Sequence, residues 1–192
     1  MNSKPYKIFE DWYEEAKKKE DSYPDGFTLA TATSDGLPSA RIVLLKRILP
    51  EGFVFFTNYD SQKSEELLEN PNAHMLFYWK STLKQVRIRG VVSKASDEVS
   101  DEYWATREHT SNLNSALSKQ SSEIEEGFNY QNAIKDLGAQ NPKSIERPEN
   151  WGGFIISPQY FEFWENGDYR RHKRDAFSLN GNGDWDSTTL YP

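Results

Sequence analysis

The chain is 192 residues long and acidic, with 30 Asp and Glu against 23 Lys and Arg and a formal net charge of −7. It has no cysteine and only three histidines, His74, His109 and His172, far apart in sequence. Disulfides, thiolate metal sites, iron–sulfur clusters and cysteine nucleophiles are excluded, and a histidine metal site, nucleic acid and anionic membranes are poor expectations. No apolar run approaches the ~20 residues of a bilayer span. Met1-Asn2-Ser3-Lys4-Pro5 lacks the apolar core of a signal peptide, so a cytoplasmic protein is expected. The length suits a single domain over 1–192, with helical additions.

Ile8, Phe9, Trp12, Tyr13 and Ala16 recur at helical spacing, which predicts an amphipathic helix over 5–19 within an N-terminal helical segment 1–20. Pro24-Asp25-Gly26 turns the chain into a strand over 27–33, and Ser34-Asp35-Gly36 reads as a hairpin turn. A short β-prone run covers 41–46. Pro50-Glu51-Gly52 leads into a strand over 53–58. A helix is predicted over 61–69, stopped by Pro71, then strands over 73–79 and 85–93. The middle, 97–137, reads as a helical insertion with helices near 97–107, 110–118 and 123–137, followed by a loop over 138–150. Strands near 153–157, 159–165, 170–178 and 185–190 complete the chain, so that 151–192 is a C-terminal β region. Many short strands with tight turns predict a mainly β fold with added helices, an antiparallel barrel or sandwich. No G-x-G-x-x-G or Walker motif supports a nicotinamide cofactor or nucleoside triphosphate.

Five groups of residues could carry chemistry. Asp60 or Ser61 can cap the helix that follows, which puts Lys63 in its first turn. A cation there opposes the helix dipole unless an anion binds the same helix end. In Gln85-Val86-Arg87-Ile88-Arg89, strand alternation places Gln85, Arg87 and Arg89 on one face. Tyr103, Arg107 and Ser111, at i, i+4 and i+8, would line one helix face as a phosphate clamp. Ser122 and Glu125 fit a capping box, which leaves Gln120 and Ser121 without a structural reason. Arg170, His172 and Arg174 would share one face of an extended strand, where two guanidiniums flank an imidazole. Each group alone also suits a bland role: a solvated lysine, a half-exposed strand, plain capping, a basic patch. Arg41 and Lys46 would face opposite sides of a regular strand. Two anion pockets together point to a phosphorylated cofactor and a phosphorylated substrate in one site.

The ordered motifs Arg41-Ile42-Val43-Leu44-Leu45-Lys46, Phe56-Thr57-Asn58, Ser61-Gln62-Lys63, Gln85-Val86-Arg87, Ser118-Lys119-Gln120-Ser121-Ser122, Trp151-Gly152-Gly153, Phe161-Glu162-Phe163-Trp164 and Arg170-Arg171-His172-Lys173-Arg174 resemble pyridoxamine 5′-phosphate oxidase. The resemblance runs from about Phe27 to Pro192. It implies an FMN-binding split β-barrel of antiparallel Greek-key type, a homodimer with FMN at the interface. It also implies oxidation of pyridoxamine 5′-phosphate or pyridoxine 5′-phosphate to pyridoxal 5′-phosphate, with O2 as acceptor and hydrogen peroxide released. By the same resemblance Arg41, Gln62, Lys63, Gln120 and Ser121 would hold the flavin's phosphate and ribityl chain. Ile42, Val43, Leu44, Phe56 and Thr57 would line it, and Gln85, Trp164 and Arg174 would meet its ring system. Lys46, Tyr103, Arg107 and Ser111 would hold the substrate phosphate, with Arg170 and His172 as the catalytic pair beside the pyridine ring. No metal is implied.

The chain departs from the family at Gln62, usually arginine, and at Arg171 and Lys173, usually leucine and aspartate. Glu165-Asn166-Gly167-Asp168 replaces a glutamine-rich turn, and Thr189 stands where an arginine is usual. Other functions for such a barrel are a sister flavin oxidase on another aromatic, as in phenazine synthesis, a flavin or pyridoxal phosphate carrier without turnover, or a small nucleic-acid-binding barrel.

Overall fold

The computed structural model describes residues 3–19 and 23–192. Helix α1 (Lys4–Lys19) comes first, with lysines at 17–19 in its last turn complementing the helix dipole. Residues 1, 2 and 20 of the expected N-terminal segment lie outside the described residues. The hairpin β1 (Gly26–Ala32) and β2 (Pro38–Leu44) follows, then the short hairpin β3 (Arg47–Leu49) and β4 (Gly52–Asn58). Helix α2 (Gln62–Glu69) leads to the hairpin β5 (Asn72–Trp79) and β6 (Lys84–Lys94). Three helices, α3 (Asp97–Thr106), α4 (His109–Leu117) and α5 (Tyr130–Gln140), precede β7 (Trp151–Glu165), a 3₁₀ turn at Asp168–Arg170, β8 (Lys173–Leu179) and β9 (Trp185–Thr189).

The strands form one antiparallel sheet in the order β2-β1-β5-β6-β7-β4-β3, with β8 and β9 added beyond the second half of β7. Strand β7 organises this arrangement. One edge pairs with β6 from Phe154 to Glu165. The other edge pairs with β4 from Trp151 to Ile156 and with β8 from Tyr160 to Glu165. Pro158 predicts two separate strands here, because proline lacks an N–H. The chain instead stays one strand, since the register with β6 shifts between Arg89 and Gly90, opposite Pro158. Gly90 permits the close approach: a Cβ there would stand 2.3 Å from the Ser157 carbonyl oxygen.

Alternation fills the core. Phe27, Leu29, Phe53, Phe55, Met75, Phe77, Val86, Ile88, Ile156 and Phe161 are all fully buried or nearly so. Helix α1 lays Phe9 edge-on to Phe53 at 4.9 Å and to Phe77 at 5.2 Å. Burying aromatic rings at these spacings adds quadrupole attraction to the loss of water-exposed surface.

Several expectations are corrected. Strand β2 ends at Leu44 rather than running to Lys46, and β3, too short to show a period, was not expected. The third middle helix starts at Tyr130, not 123, and runs to Gln140. Ser122 and Glu125 form no capping box: Ser122 N–H donates to the Lys119 carbonyl in a turn, and Lys119 pairs with Glu125. Gly127, at φ +78°, and the Phe128 N–H bonded to the Glu125 carbonyl turn the chain away from helix. Asn129 caps α5 instead, its side chain accepting from the Asn132 N–H at 3.0 Å. The strand expected over 170–178 starts at Lys173, not Arg170. Tyr169 and Arg170 both adopt left-handed backbone, at φ 55° and 63°, so Arg170, His172 and Arg174 do not alternate along one strand.

Candidate active site

A cleft of about 1200 Å³ opens between β2, the end of β4, the start of α2, the α3–α4 corner and the 118–121 turn. At one end lies Lys63, only 8% exposed. Its Nζ donates to Ser61 Oγ at 2.8 Å, Gln120 Oε1 at 3.0 Å and Thr57 Oγ1 at 3.1 Å. All three are neutral oxygens. Burial, then repulsion from Arg41, against attraction by Glu66, lowers the Lys63 pKa to about 8. An ammonium so placed is short of negative charge, and it stands in the first turn of a helix whose free N–H groups favour an anion. Ser61 occupies the N-cap position, but its hydroxyl donates to the Asn58 carbonyl at 2.8 Å and makes no capping bond, contrary to expectation; nor does Asp60 cap. The turn that delivers Gln120 places Ser121 at φ 74°, a conformation that costs a non-glycine residue energy and is often kept at ligand sites.

Glu66, which the sequence reading passed over, supports this end from behind. Its Oε1 accepts from Ser39 Oγ at 2.6 Å and from Gln62 Nε2 at 2.9 Å. Its Oε2 accepts from Arg41 Nη2 at 3.1 Å and from the Thr31 hydroxyl. Burial alone would raise this carboxyl. The bonds from Ser39, Thr31, Gln62 and Arg41 outweigh it and hold the pKa at about 2. The stability Glu66 contributes is therefore complete above pH 4.5 and is lost as the pH falls toward 2. Glu66→Ala leaves Arg41 with no counter-charge, and chemical denaturation should show a loss of about 3–5 kcal/mol.

The other end of the cleft is built on Arg107. Its guanidinium lies over the Trp151 ring at 4.6 Å and the Trp104 ring at 5.2 Å. Nη2 donates to Ser115 Oγ at 2.9 Å and to the Ser111 carbonyl at 3.3 Å, while Nη1 is buried without a partner. A buried, unpartnered donor on a charged fork facing a cleft is a site waiting for an acceptor. Tyr103 stacks on Phe56 at 4.0 Å. Tyr103, Arg107 and Ser111 meet here, though not along one helix as expected: α3 ends at Thr106, Arg107 is extended, and α4 starts at His109. Lys46 also reaches the cleft, since β2 ends before it, and its Nζ pairs with Asp25 at 2.8 Å. That break removes the conflict between Arg41 and Lys46.

The cleft of one chain thus gathers Arg41, Ile42, Val43, Leu44, Lys46, Phe56, Thr57, Gln62, Lys63, Tyr103, Arg107, Ser111, Gln120 and Ser121. Gln85, Trp164, Arg170, His172 and Arg174 do not line it. Gln85, Trp164 and Arg174 form a second cluster across β6, β7 and β8, where Gln85 pairs with Trp164 and Trp164 with Arg174, while Arg170 and His172 lie in the turn just before β8. The rings of Trp164 and His172 lie 4.5 Å apart. His172 Nδ1 accepts from the Gly167 N–H at 3.3 Å, which leaves Nε2 to carry the proton of the neutral ring. Arg174 Nη2 and Nε bind Glu162 Oε1 at 2.8 and 2.9 Å.

The family model described as pyridoxamine 5′-phosphate oxidase matches residues 14–131, and that of the pyridoxine 5′-phosphate oxidase C-terminal dimerisation region matches 151–192. The chain belongs to the pyridoxamine 5′-phosphate oxidase family. It is 43% identical to the pyridoxine/pyridoxamine 5′-phosphate oxidase of Novosphingobium aromaticivorans over 98% of this chain and 93% of that one. It is 44% identical to that of Zymomonas mobilis over the full length of both. Among solved structures it is similar to PhzG from Burkholderia lata in complex with tetrahydrophenazine-1-carboxylic acid, with a TM-score of 0.94 and 31% identity over 99% of this chain and 93% of that one. A pyridoxamine 5′-phosphate oxidase-related FMN-binding protein from Nostoc punctiforme shares the fold, with a TM-score of 0.82 at 18% identity over the full length of both. The fold is the split barrel of this family. Among the described residues no helix is long and apolar enough to cross a membrane.

Proposed function

We propose that this chain is an FMN-dependent oxidase of pyridoxamine 5′-phosphate or pyridoxine 5′-phosphate, forming pyridoxal 5′-phosphate with O2 as acceptor. The observation that carries this reading is the pair of anion pockets, Lys63 and Arg107, at two ends of one cleft. The donor set suits FMN. A buried ammonium with only neutral partners fits the phosphate, the Gln120 and Ser121 turn fits the ribityl chain, and β2 offers a wall of Ile42, Val43 and Leu44. When bound, the flavin would supply the redox chemistry, a two-electron oxidation of the substrate with O2 as final acceptor and hydrogen peroxide as product.

The residues do the rest. Arg107 Nη1, Tyr103, Ser111 and Lys46 hold the substrate phosphate. Arg170 and His172 orient the pyridine ring, with the His172 Nε2 proton as donor to it. Gln85, Trp164 and Arg174 meet the flavin ring system. These two groups cannot serve one site within a single chain. Thr57 pairs with Gly152 near one end of β7, and Gln85 pairs with Trp164 near the other. At ~3.3 Å per residue the two pairs lie about 40 Å apart along the strand. The Trp164 of the partner subunit, with its neighbours, completes the cleft in a homodimer, in keeping with the dimerisation region matched at 151–192.

The 31% identity to a protein solved with a phenazine carboxylic acid motivates one other reading, a different aromatic substrate. Anaerobic mixing decides between them. Pyridoxamine 5′-phosphate should bleach the flavin of the reconstituted protein, and admitting air should release peroxide. Bleaching by tetrahydrophenazine-1-carboxylic acid alone would transfer the substrate assignment, and a protein that takes up no FMN would refute both.

A further inference from the structure

Glu66 does not line the cleft, yet three of its four donors, Ser39, Arg41 and Gln62, do. A carboxylate accepts about four hydrogen bonds, so this one is saturated. It is buried, with 4% of its surface exposed, and it is Arg41's counter-charge at 3.1 Å. The cations at this end of the cleft are Arg41 and Lys63, so Glu66 cancels one of two. We propose that Glu66 is a built-in counter-anion of the phosphate pocket: it holds Arg41 in place when no phosphate is bound, and it lowers the affinity for the phosphate that binds.

This rests on the reading that the pocket takes the phosphate of FMN. A phosphate monoester carries close to two negative charges near neutral pH. It meets Arg41 and Lys63 across a site whose rear wall repels it, and the burial that strengthens attraction strengthens this repulsion equally. Gln62 adds nothing to offset it, because its amide is neutral and is already given to Glu66 Oε1. The arrangement separates two properties that an all-cationic pocket would combine. The empty pocket is stable because its arginine is paired, and the cofactor is held less tightly than two free cations would hold it.

Glu66→Gln tests this, since it keeps the shape and the acceptor oxygen and removes the charge. Flavin fluorescence titrations with FMN and with riboflavin, which lacks the phosphate, isolate the pocket's share of binding. In the wild type FMN should bind more tightly than riboflavin. In Glu66→Gln that preference should grow by about tenfold or more, while the cofactor-free protein melts at a lower temperature. An unchanged or smaller preference in the variant overturns the proposal while leaving the phosphate pocket standing. A wild type with no preference for FMN refutes the pocket itself, and the proposal with it. If the variant does not fold alone, refolding is carried out with each flavin. Recovery with FMN but not riboflavin supports the counter-anion, and equal recovery, or none, overturns it.

Discussion

Two inactive variants, Arg107→Ala and His172→Ala, should restore oxidase activity when they are produced together in one cell. Each alone should lose about 100-fold or more: Arg107→Ala removes a buried cation from the substrate phosphate, and His172→Ala removes the ring donor. In a mixed dimer one site inherits both defects. The other draws an intact Arg107 from one chain and an intact His172 from the other. Random pairing makes half of the dimers mixed, each with one working site of two, so about one quarter of wild-type activity should return. Tagging the two variants differently and assaying the doubly purified dimer makes the measurement direct. If the mixed dimer stays as inactive as its parents, each site is built from one chain and the β7 geometry has been misread.

The second large effect is at Lys63. Lys63→Ala should fold, because the residue it removes makes hydrogen bonds only to neutral oxygens. It should lose about 1.5–3 kcal/mol of FMN binding, the range for hydrogen bonds to charged groups, or about 10- to 150-fold in Kd. The pH dependence has a definite sign. Without ligand the Lys63 pKa is about 8, against an ordinary 10.5, so the folded chain sheds this proton before the unfolded chain does. The cofactor-free protein therefore gains stability from this group as the pH rises from 8 toward 10.5. A bound phosphate favours the charged form and raises the pKa again. FMN affinity should be full below pH 8 and fall above it, by up to about tenfold per pH unit. In Lys63→Ala that fall should vanish. A wild-type affinity that stays level from pH 7 to 10 would count against the buried ammonium as the phosphate's partner. Arg41 and Glu66 are the charged groups that face Lys63, and Glu66, held at about 2, stays ionised across that range.

Much of the site was legible because local chemistry announced it. Lys63 in the first turn of a helix is a local contradiction of the dipole, and only a ligand or a buried oxygen cluster resolves it. The oxygens of Ser61, Thr57 and Gln120 supply such a cluster here. Alternation in Gln85 to Arg89 was readable because a half-buried strand has a period of two, and Val86 and Ile88 are fully buried while Arg89 is exposed. Glu66 was not legible. Four residues after Gln62 on a charged helix, it looks like one more solvated carboxylate, and only the tertiary approach of α2 to β1 and β2 gives it three of its four donors. The Arg107 corner was read as helix because Thr106-Arg107-Glu108 contains neither glycine nor proline. Position 158 misled in the other direction: a proline there reads as a break, but a register shift between Arg89 and Gly90 absorbs it and β7 continues as one strand. Asn129 as the true cap of α5 had a signal, since Gly127 before it marks a turn, but Ser122 and Glu125 offered a stronger local pattern.

The turn that brings Gln120 and Ser121 to the phosphate end is the weakest-anchored wall of the cleft. Residues 119–129 are exposed throughout, and α5 beyond them buries no residue fully. Segments with so few interior neighbours open at little free-energy cost, while the amides of β7, paired on both edges over most of its length, should exchange far more slowly. If Gln120 and Ser121 hold the flavin as proposed, its capture would be coupled to ordering this wall. On the proposed reading the flavin tail would fasten the 118–129 segment, and the entropy lost in fixing it would subtract from the affinity that Lys63 provides.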